Sequence, residues 1–126
     1  MTLRTPLSTV RGLGSSKSGT HHWWVQRLTA VALVPLGLWF VISVIGLVGA
    51  EHAVVAAWLG DPVTAGLLIA LVVATFYHAA LGMQVVYEDY VGNLGLRMAV
   101  DIATKLILAL LGLIAIVSIV MIALGG

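Results

Sequence analysis

One ionisable side chain, His78, lies deep within a long apolar segment. Ala74 precedes it by four residues and Gly82 follows it by four, so on a helix these small residues share its face. A buried ionisable group in such a segment is costly and is a functional candidate. Axial ligation of a haem iron requires a neutral imidazole with room beside it for the porphyrin, and small neighbouring side chains provide such room. The same spacing also serves close helix packing around a structural histidine, and both interpretations stay open.

A haem held by two histidines would need a second imidazole at the depth of His78. The remaining histidines are His21 and His22, before the first apolar segment, and His52, between the first two. Either a second polypeptide supplies the other ligand, or no haem is bound. His21 and His22 lack an acid at ligand spacing, so we do not predict a separate metal site there.

Asp89 and Tyr90 close the apolar segment that contains His78. Asp89 follows His78 by eleven residues, and eleven helical steps of about 100° return to within roughly 20° of the same face, about 16 Å further along. The Tyr90 phenol is suited to donate a hydrogen bond to a carbonyl oxygen. Aromatic residues also populate the membrane interface without any such role. That simpler interpretation is our prediction for three others, Trp23, Trp24 and Tyr87.

Arg27 stands where the first apolar segment begins, near the expected level of Asp89 and Tyr90. A guanidinium group is a good donor to a carboxylate, such as a haem propionate. The simpler interpretation is that Arg27 extends its charged group from the membrane boundary toward water, and the sequence does not distinguish the two.

Three long uncharged segments are the elements that must position these residues. Asp, Glu, Lys and Arg are absent from residues 28–50, 62–87 and 106–126. A helix needs roughly 20 apolar residues to cross the hydrocarbon layer, so each segment is long enough to span it. None alternates with period two as a membrane β-strand would. We predict an all-α integral membrane protein with three transmembrane helices, at approximately 25–50, 62–90 and 96–124.

The composition excludes several classes of protein. The chain has 126 residues, of which 61% are hydrophobic and only 9% charged, so it cannot cover a water-facing surface. It has no cysteine, which rules out disulfides, thiolate-held iron–sulfur clusters and thiol nucleophiles. The net charge of +1 offers no basic surface for nucleic acid, and membrane lipid is the expected surrounding.

The six basic residues indicate the orientation. Four precede the first uncharged segment and two lie between the second and third such segments, whereas the loop 51–61 and the C-terminus have none. The positive-inside rule therefore places the N-terminus inside and the C-terminus outside. We expect a bacterial inner membrane, with the mitochondrial inner membrane as the alternative.

The domain organisation is simple. Residues 1–22 are polar and lack the apolar core of a secretory signal, so we predict a cytoplasmic tail, followed by a three-helix anchor over residues 23–126. Asp61 before Pro62 predicts the capped start of the second span. Asp101 and Lys105, four residues apart, are expected to pair early in the third helix.

Taken together, these motifs resemble the hydrophobic membrane-anchor D subunit of succinate dehydrogenase, respiratory complex II. The resemblance rests on His21 and on the segments 27–30 (RLTA), 78–84 (HAALGMQ) and 89–91 (DYV). It covers essentially the whole chain after the N-terminal tail. The spacing from a second-span histidine to an Asp-Tyr pair is its most specific element.

The resemblance implies roles for individual residues. His78 would be one axial ligand of a haem b shared with a companion C-type cytochrome b anchor subunit. Arg27 and His21 would lie near the haem propionates or the quinone pocket. Tyr90 would hydrogen-bond a ubiquinone carbonyl, with Asp89 beside it. A flavoprotein subunit would oxidise succinate and an iron–sulfur subunit would carry the electrons to ubiquinone, so this chain itself would hold no dehydrogenase or iron–sulfur site.

Two other functions remain possible from the residues alone. A non-enzymatic three-span assembly or scaffold protein would use His78 structurally and bind no cofactor. A transporter subunit would use His78 as a proton relay, but a relay predicts further ionisable groups at similar depth, and the apolar segments contain none.

Overall fold

The structure is a computed structural model that describes residues 17–125, with side chains from residue 20 onward. This part of the chain forms four helices. They are α1 (Lys17–Gly46), α2 (His52–Gly60), α3 (Pro62–Tyr90) and α4 (Leu94–Ala123). Three segments are long and apolar enough to cross a membrane: Thr20–Gly46, Pro62–Tyr90 and Leu94–Ala123. The prediction of an all-helical chain with three candidate spans is confirmed.

The ends of the first span differ from the predicted bounds. Helix α1 already begins at Lys17, so residues 17–22 of the predicted tail are helical, whereas residues 1–16 of that tail lie outside the described residues. At the other end α1 stops at Gly46, and residues 47–49 form a turn in which Gly49 has a φ of +79°. A positive φ suits glycine because it has no Cβ to clash with the backbone. Residues 47–50 therefore do not continue the helix.

The start of α3 follows the predicted capping pattern. The Asp61 carboxylate accepts hydrogen bonds from the Thr64 backbone N–H at 3.0 Å and from the Thr64 hydroxyl at 3.2 Å, while Pro62 occupies the first turn. The backbone N–H groups of a helix's first turn have no partner within the helix, and a side-chain acceptor satisfies one of them.

A short connection joins α3 to α4. The Asn93 side chain accepts a hydrogen bond from the Leu96 backbone N–H at 3.0 Å, so α4 begins at Leu94 rather than at the predicted residue 96. The Arg97 guanidinium donates to the Val91 carbonyl oxygen from Nε at 3.0 Å and from Nη2 at 2.8 Å. Arg97 thereby satisfies a backbone acceptor at the end of α3 and holds the tight connection closed.

Helix α2 lies where the sequence predicts only a loop, residues 51–61, between the first two spans. It packs against α3 and α4, and Trp58 stacks on Trp39 of α1 with ring centroids 5.9 Å apart. A Cβ on Gly60, at its last turn, would lie 3.8 Å from the Ala123 carbonyl oxygen of α4. Helix α2 thus closes one end of the bundle, which we call the α2 end.

Helix α3 is the centre of the structure. It packs against both α1 and α4, whereas the backbones of α1 and α4 do not approach each other closely within the described residues. Gly112 of α4 is buried where Phe76 of α3 packs on it, and an added Cβ would lie 3.5 Å from Phe76 Cγ. Most large apolar side chains of α1 and α4 remain exposed in the isolated chain. Lipid or partner subunits must cover them, since such an apolar exterior is incompatible with water.

Candidate functional site

His78 meets the first helix through Thr29. The Thr29 hydroxyl oxygen lies 3.0 Å from His78 Nδ1, which joins α3 to α1 by a side-chain hydrogen bond. The same hydroxyl lies 2.8 Å from the Val25 carbonyl oxygen and 3.0 Å from the Gln26 carbonyl oxygen of its own helix. Sequence reasoning quoted Thr29 within a motif but gave it no role, because pairing between two helices leaves no local signal.

The second ring nitrogen of His78 is differently placed. Nε2 makes no hydrogen bond to a described residue. It is also not buried, so it is accessible at the surface of the chain. The imidazole is therefore held at Nδ1 and open at Nε2, on the surface of this chain. An open Nε2 on a ring held at Nδ1 is the arrangement in which histidine acts as a metal ligand.

The small residues that flank His78 line the contact with α1. Ala74 is 8% exposed and borders a shallow groove with Thr29 and other residues of α1. A Cβ on Gly82 would lie 4.0 Å from Gln26 Nε2. Within this chain the small residues therefore allow α1 to approach the His78 face, which is the helix-packing interpretation of their spacing.

Arg27 lies in a groove between α1 and α3, the α1–α3 groove. The groove has a volume of about 430 Å³ and includes Trp23, Gln26, Leu81 and Val85. The guanidinium carbon lies 4.5 Å from the centre of the Trp23 ring. Arg27 thus shares this groove with Leu81 and Val85 of α3, whereas Asp89, which the sequence places near its level, does not border the groove.

His21 is exposed beside His22, with the two rings edge to face and 6.4 Å apart. Among the described residues no group of three or more metal-binding side chains occurs. His22 borders both the α1–α3 groove and a second groove of about 360 Å³ between α3 and α4, which also includes Gln84 and Lys105.

Two glutamines that line the grooves beside α3, Gln26 in the α1–α3 groove and Gln84 in the groove between α3 and α4, were missed by sequence reasoning. The Oε1 atoms of Gln26 and Gln84 are buried without a hydrogen-bond partner in the described part of the chain. Gln84 donates from its amide nitrogen to Glu88 at 2.9 Å. A buried acceptor without a donor costs free energy, so each oxygen is a polar atom that the described part of the chain leaves unsatisfied. Their position in the sequence, near the charged ends of apolar segments, was the signal that could have identified these two glutamines.

Asp89 and Tyr90 lie together at the last turn of α3 and are both exposed, Tyr90 by 85%. Neither makes a side-chain hydrogen bond or ion pair to another described residue. The ion pair nearby joins Lys105 and Asp101, both of α4. The structure therefore does not bring them into contact with Arg27 or His78. Any pocket at this position needs walls from another polypeptide.

Tyr87 corrects a prediction. It was assigned to the interfacial aromatic belt, but it is 3% exposed and its hydroxyl donates to Asp101 Oδ1 at 2.6 Å. Lys105 Nζ pairs with Asp101 Oδ2 at 3.0 Å, as expected from their spacing. Tyr87 thus joins α3 to α4, while Trp23 and Trp24 remain about half exposed as belt residues would be.

Comparison with known proteins agrees with this architecture. The family model of the succinate dehydrogenase/fumarate reductase transmembrane subunit matches residues 1–123. The chain belongs to this family. The hydrophobic membrane anchor subunit of succinate dehydrogenase from Rickettsia bellii is 38% identical over 103 residues, which cover 82% of each chain.

Two further relatives carry the same description. The succinate dehydrogenase hydrophobic membrane anchor subunit of Rickettsia conorii is 36% identical over 74% of this chain and 75% of its own. That of Paracoccus denitrificans is 33% identical over 68% of this chain and 67% of its own. The resemblance to a succinate dehydrogenase anchor is therefore confirmed, and the chain is a multi-pass membrane subunit of that enzyme complex.

Proposed function

We propose that this chain anchors succinate dehydrogenase in a bacterial inner membrane, supplies one axial ligand of a haem b and borders the site of ubiquinone reduction. The observation that carries the proposal is the His78 ring, held by Thr29 at Nδ1 and open at Nε2 on the surface of the chain. Such a surface position suits a group shared with a second subunit.

The donor set fits half of a haem site. His78 Nε2 provides one neutral nitrogen, and Arg27 in the α1–α3 groove provides a cation for a propionate. The other histidines lie at the start of α1 and in α2. The second axial ligand is therefore assigned to a companion cytochrome b anchor subunit. When bound, the haem supplies a one-electron carrier beside the quinone site.

Asp89 and Tyr90 are proposed to border the quinone. A quinone that is being reduced gains negative charge on its oxygens and then takes up protons. The Tyr90 hydroxyl donates to one carbonyl oxygen, which stabilises that charge, and the Asp89 carboxylate at the membrane boundary orients donors or passes protons. Their full exposure supports a site that the iron–sulfur subunit completes.

The orientation is inferred from charge. Arg27, Arg97 and Lys105 lie toward the end of the bundle that has the start of α1, the end of α3 and the start of α4, and we call it the charged end. The other three basic residues precede Arg27 in the sequence. The charged end faces the cytoplasm by the positive-inside rule. The flavoprotein and iron–sulfur subunits then dock on the side where succinate is available, and Gly126 lies outside.

The test is the haem spectrum of the complete purified complex. His78→Ala should abolish or shift the low-spin haem absorption, because a methyl group cannot ligate iron. His52→Ala removes an imidazole from α2, far from the proposed ligand, and should leave the spectrum unchanged. A wild-type spectrum and potential in His78→Ala would reject the ligand assignment and favour a structural histidine, as in a scaffold protein.

A further inference from the structure

Thr29 is placed to control how His78 presents its open nitrogen. The Thr29 hydroxyl has one hydrogen but three neighbours within hydrogen-bonding distance. Two of these, the carbonyl oxygens of Val25 and Gln26, can only accept. His78 Nδ1 can either donate or accept, depending on which ring nitrogen carries the proton.

One assignment accounts for the contacts to Val25 and His78 together. The shortest contact, 2.8 Å, is to the Val25 carbonyl oxygen. A threonine in a helix commonly donates to the carbonyl oxygen four residues before it, as Val25 is before Thr29. If the hydroxyl hydrogen points there, its lone pair faces His78 and accepts from an Nδ1–H group. The opposite assignment would put the ring hydrogen on Nε2, where no described residue accepts it.

We infer that Thr29 is a positioning residue, which accepts a hydrogen bond from His78 Nδ1–H and thereby keeps the Nε2 lone pair free and aimed out of the chain for iron. This inference rests on the proposed function of His78 as a haem ligand. It adds that α1 sets the tautomer and orientation of a ligand carried by α3.

The hydrogen bond has an electronic consequence as well as a geometric one. A group that accepts from the far ring nitrogen makes the imidazole more basic and strengthens its bond to metal. A more basic ligand favours ferric over ferrous iron. Loss of the Thr29 hydroxyl should therefore raise the haem reduction potential and weaken haem retention.

The variants are Thr29→Val, which keeps the branched shape and deletes the hydroxyl, and Thr29→Ser, which restores a hydroxyl. Ser118→Ala is the matched control, because the Ser118 hydroxyl also donates to a carbonyl oxygen four residues back, at 2.8 Å, but meets no histidine. If Thr29→Val fails to assemble, Thr29→Ala removes the hydroxyl without the branched carbon atoms.

Haem content, midpoint potential and the low-spin electron paramagnetic resonance spectrum of the whole complex are the measurements. We expect Thr29→Val to weaken haem binding by roughly tenfold or more and to raise the potential, whereas Thr29→Ser and Ser118→Ala stay near wild type. A tenfold change in the ratio of ferric to ferrous binding corresponds to about 59 mV.

The outcomes separate the two proposals. If His78→Ala loses the low-spin haem while both hydroxyl-free Thr29 variants keep the wild-type potential and resonance spectrum, Thr29 only packs the helices and the inference fails alone. If His78→Ala retains the wild-type haem, the ligand assignment fails, and the role of Thr29 fails with it. Equal effects in Thr29→Ser and Thr29→Val would also overturn the inference, since the hydroxyl would then not matter.

Discussion

At the scale of single residues, contacts between neighbours along one helix could be predicted from the sequence, whereas contacts between residues of different helices could not. The Asp61 cap and the Asp101–Lys105 pair involve neighbours along one helix, and both were predictable. Tyr87 and Thr29 act across helix pairs. Their partners are 14 and 49 residues away, so local spacing cannot identify them. The role of Tyr87 was accordingly mistaken and that of Thr29 was missed.

Tyr90 offers a test of the quinone site at this scale. Tyr90→Phe keeps the ring but deletes the donor, so quinone reduction by the assembled complex should fall by on the order of 10²-fold. Succinate oxidation with a soluble artificial acceptor should remain intact. Tyr77→Phe, which deletes another exposed phenol of the same helix, is the control. Wild-type quinone reduction in Tyr90→Phe would leave Tyr90 as an interfacial anchor only.

At the scale of elements, charge-free segments located the three long helices because the cost of burying a charge in hydrocarbon dominates their composition. The same signal could not locate α2, which is apolar but too short to span. Nor could it show which helices touch. The central position of α3 follows from side-chain fit, such as Phe76 against Gly112, which a pattern of apolar residues does not encode.

Gly112 tests the contact between α3 and α4. A Cβ would meet Phe76 at ordinary contact distance, so Gly112→Ala should be tolerated. Gly112→Leu must displace the ring, at a cost of typically 1–3 kcal/mol for overpacking. We expect a lower thermal midpoint and yield of the complex for the leucine variant alone. Gly66→Leu, at an open position of α3, is the control. Equal stability of the two leucine variants would show that this contact does not hold the helices together.

At the scale of the whole molecule, the charge distribution predicts the topology and with it the side of the membrane on which the proposed quinone site lies. Four of the six basic residues precede α2, and the other two, Arg97 and Lys105, lie in the first half of α4, so the C-terminus is expected outside. A reporter active only in the cytoplasm should be inactive when fused after Gly126. The same reporter fused after Gly92 should be active. The reverse pattern would invert the molecule and move Asp89 and Tyr90 to the outer surface.

The position of α2 has a consequence for the order of synthesis. Its contacts are to α3, which follows it directly, and to α4, which the ribosome makes last. At about 5–20 residues per second, roughly 3 to 13 s pass between completion of α2 and completion of α4. During that interval the α2 end has only the Trp39–Trp58 stack and α3 to hold it. A nascent chain arrested before α4 should therefore show stronger quenching of Trp58 by a water-soluble fluorescence quencher than the finished protein, in which Trp58 is half-buried. Equal quenching in both would show that α4 is not needed to cover this end.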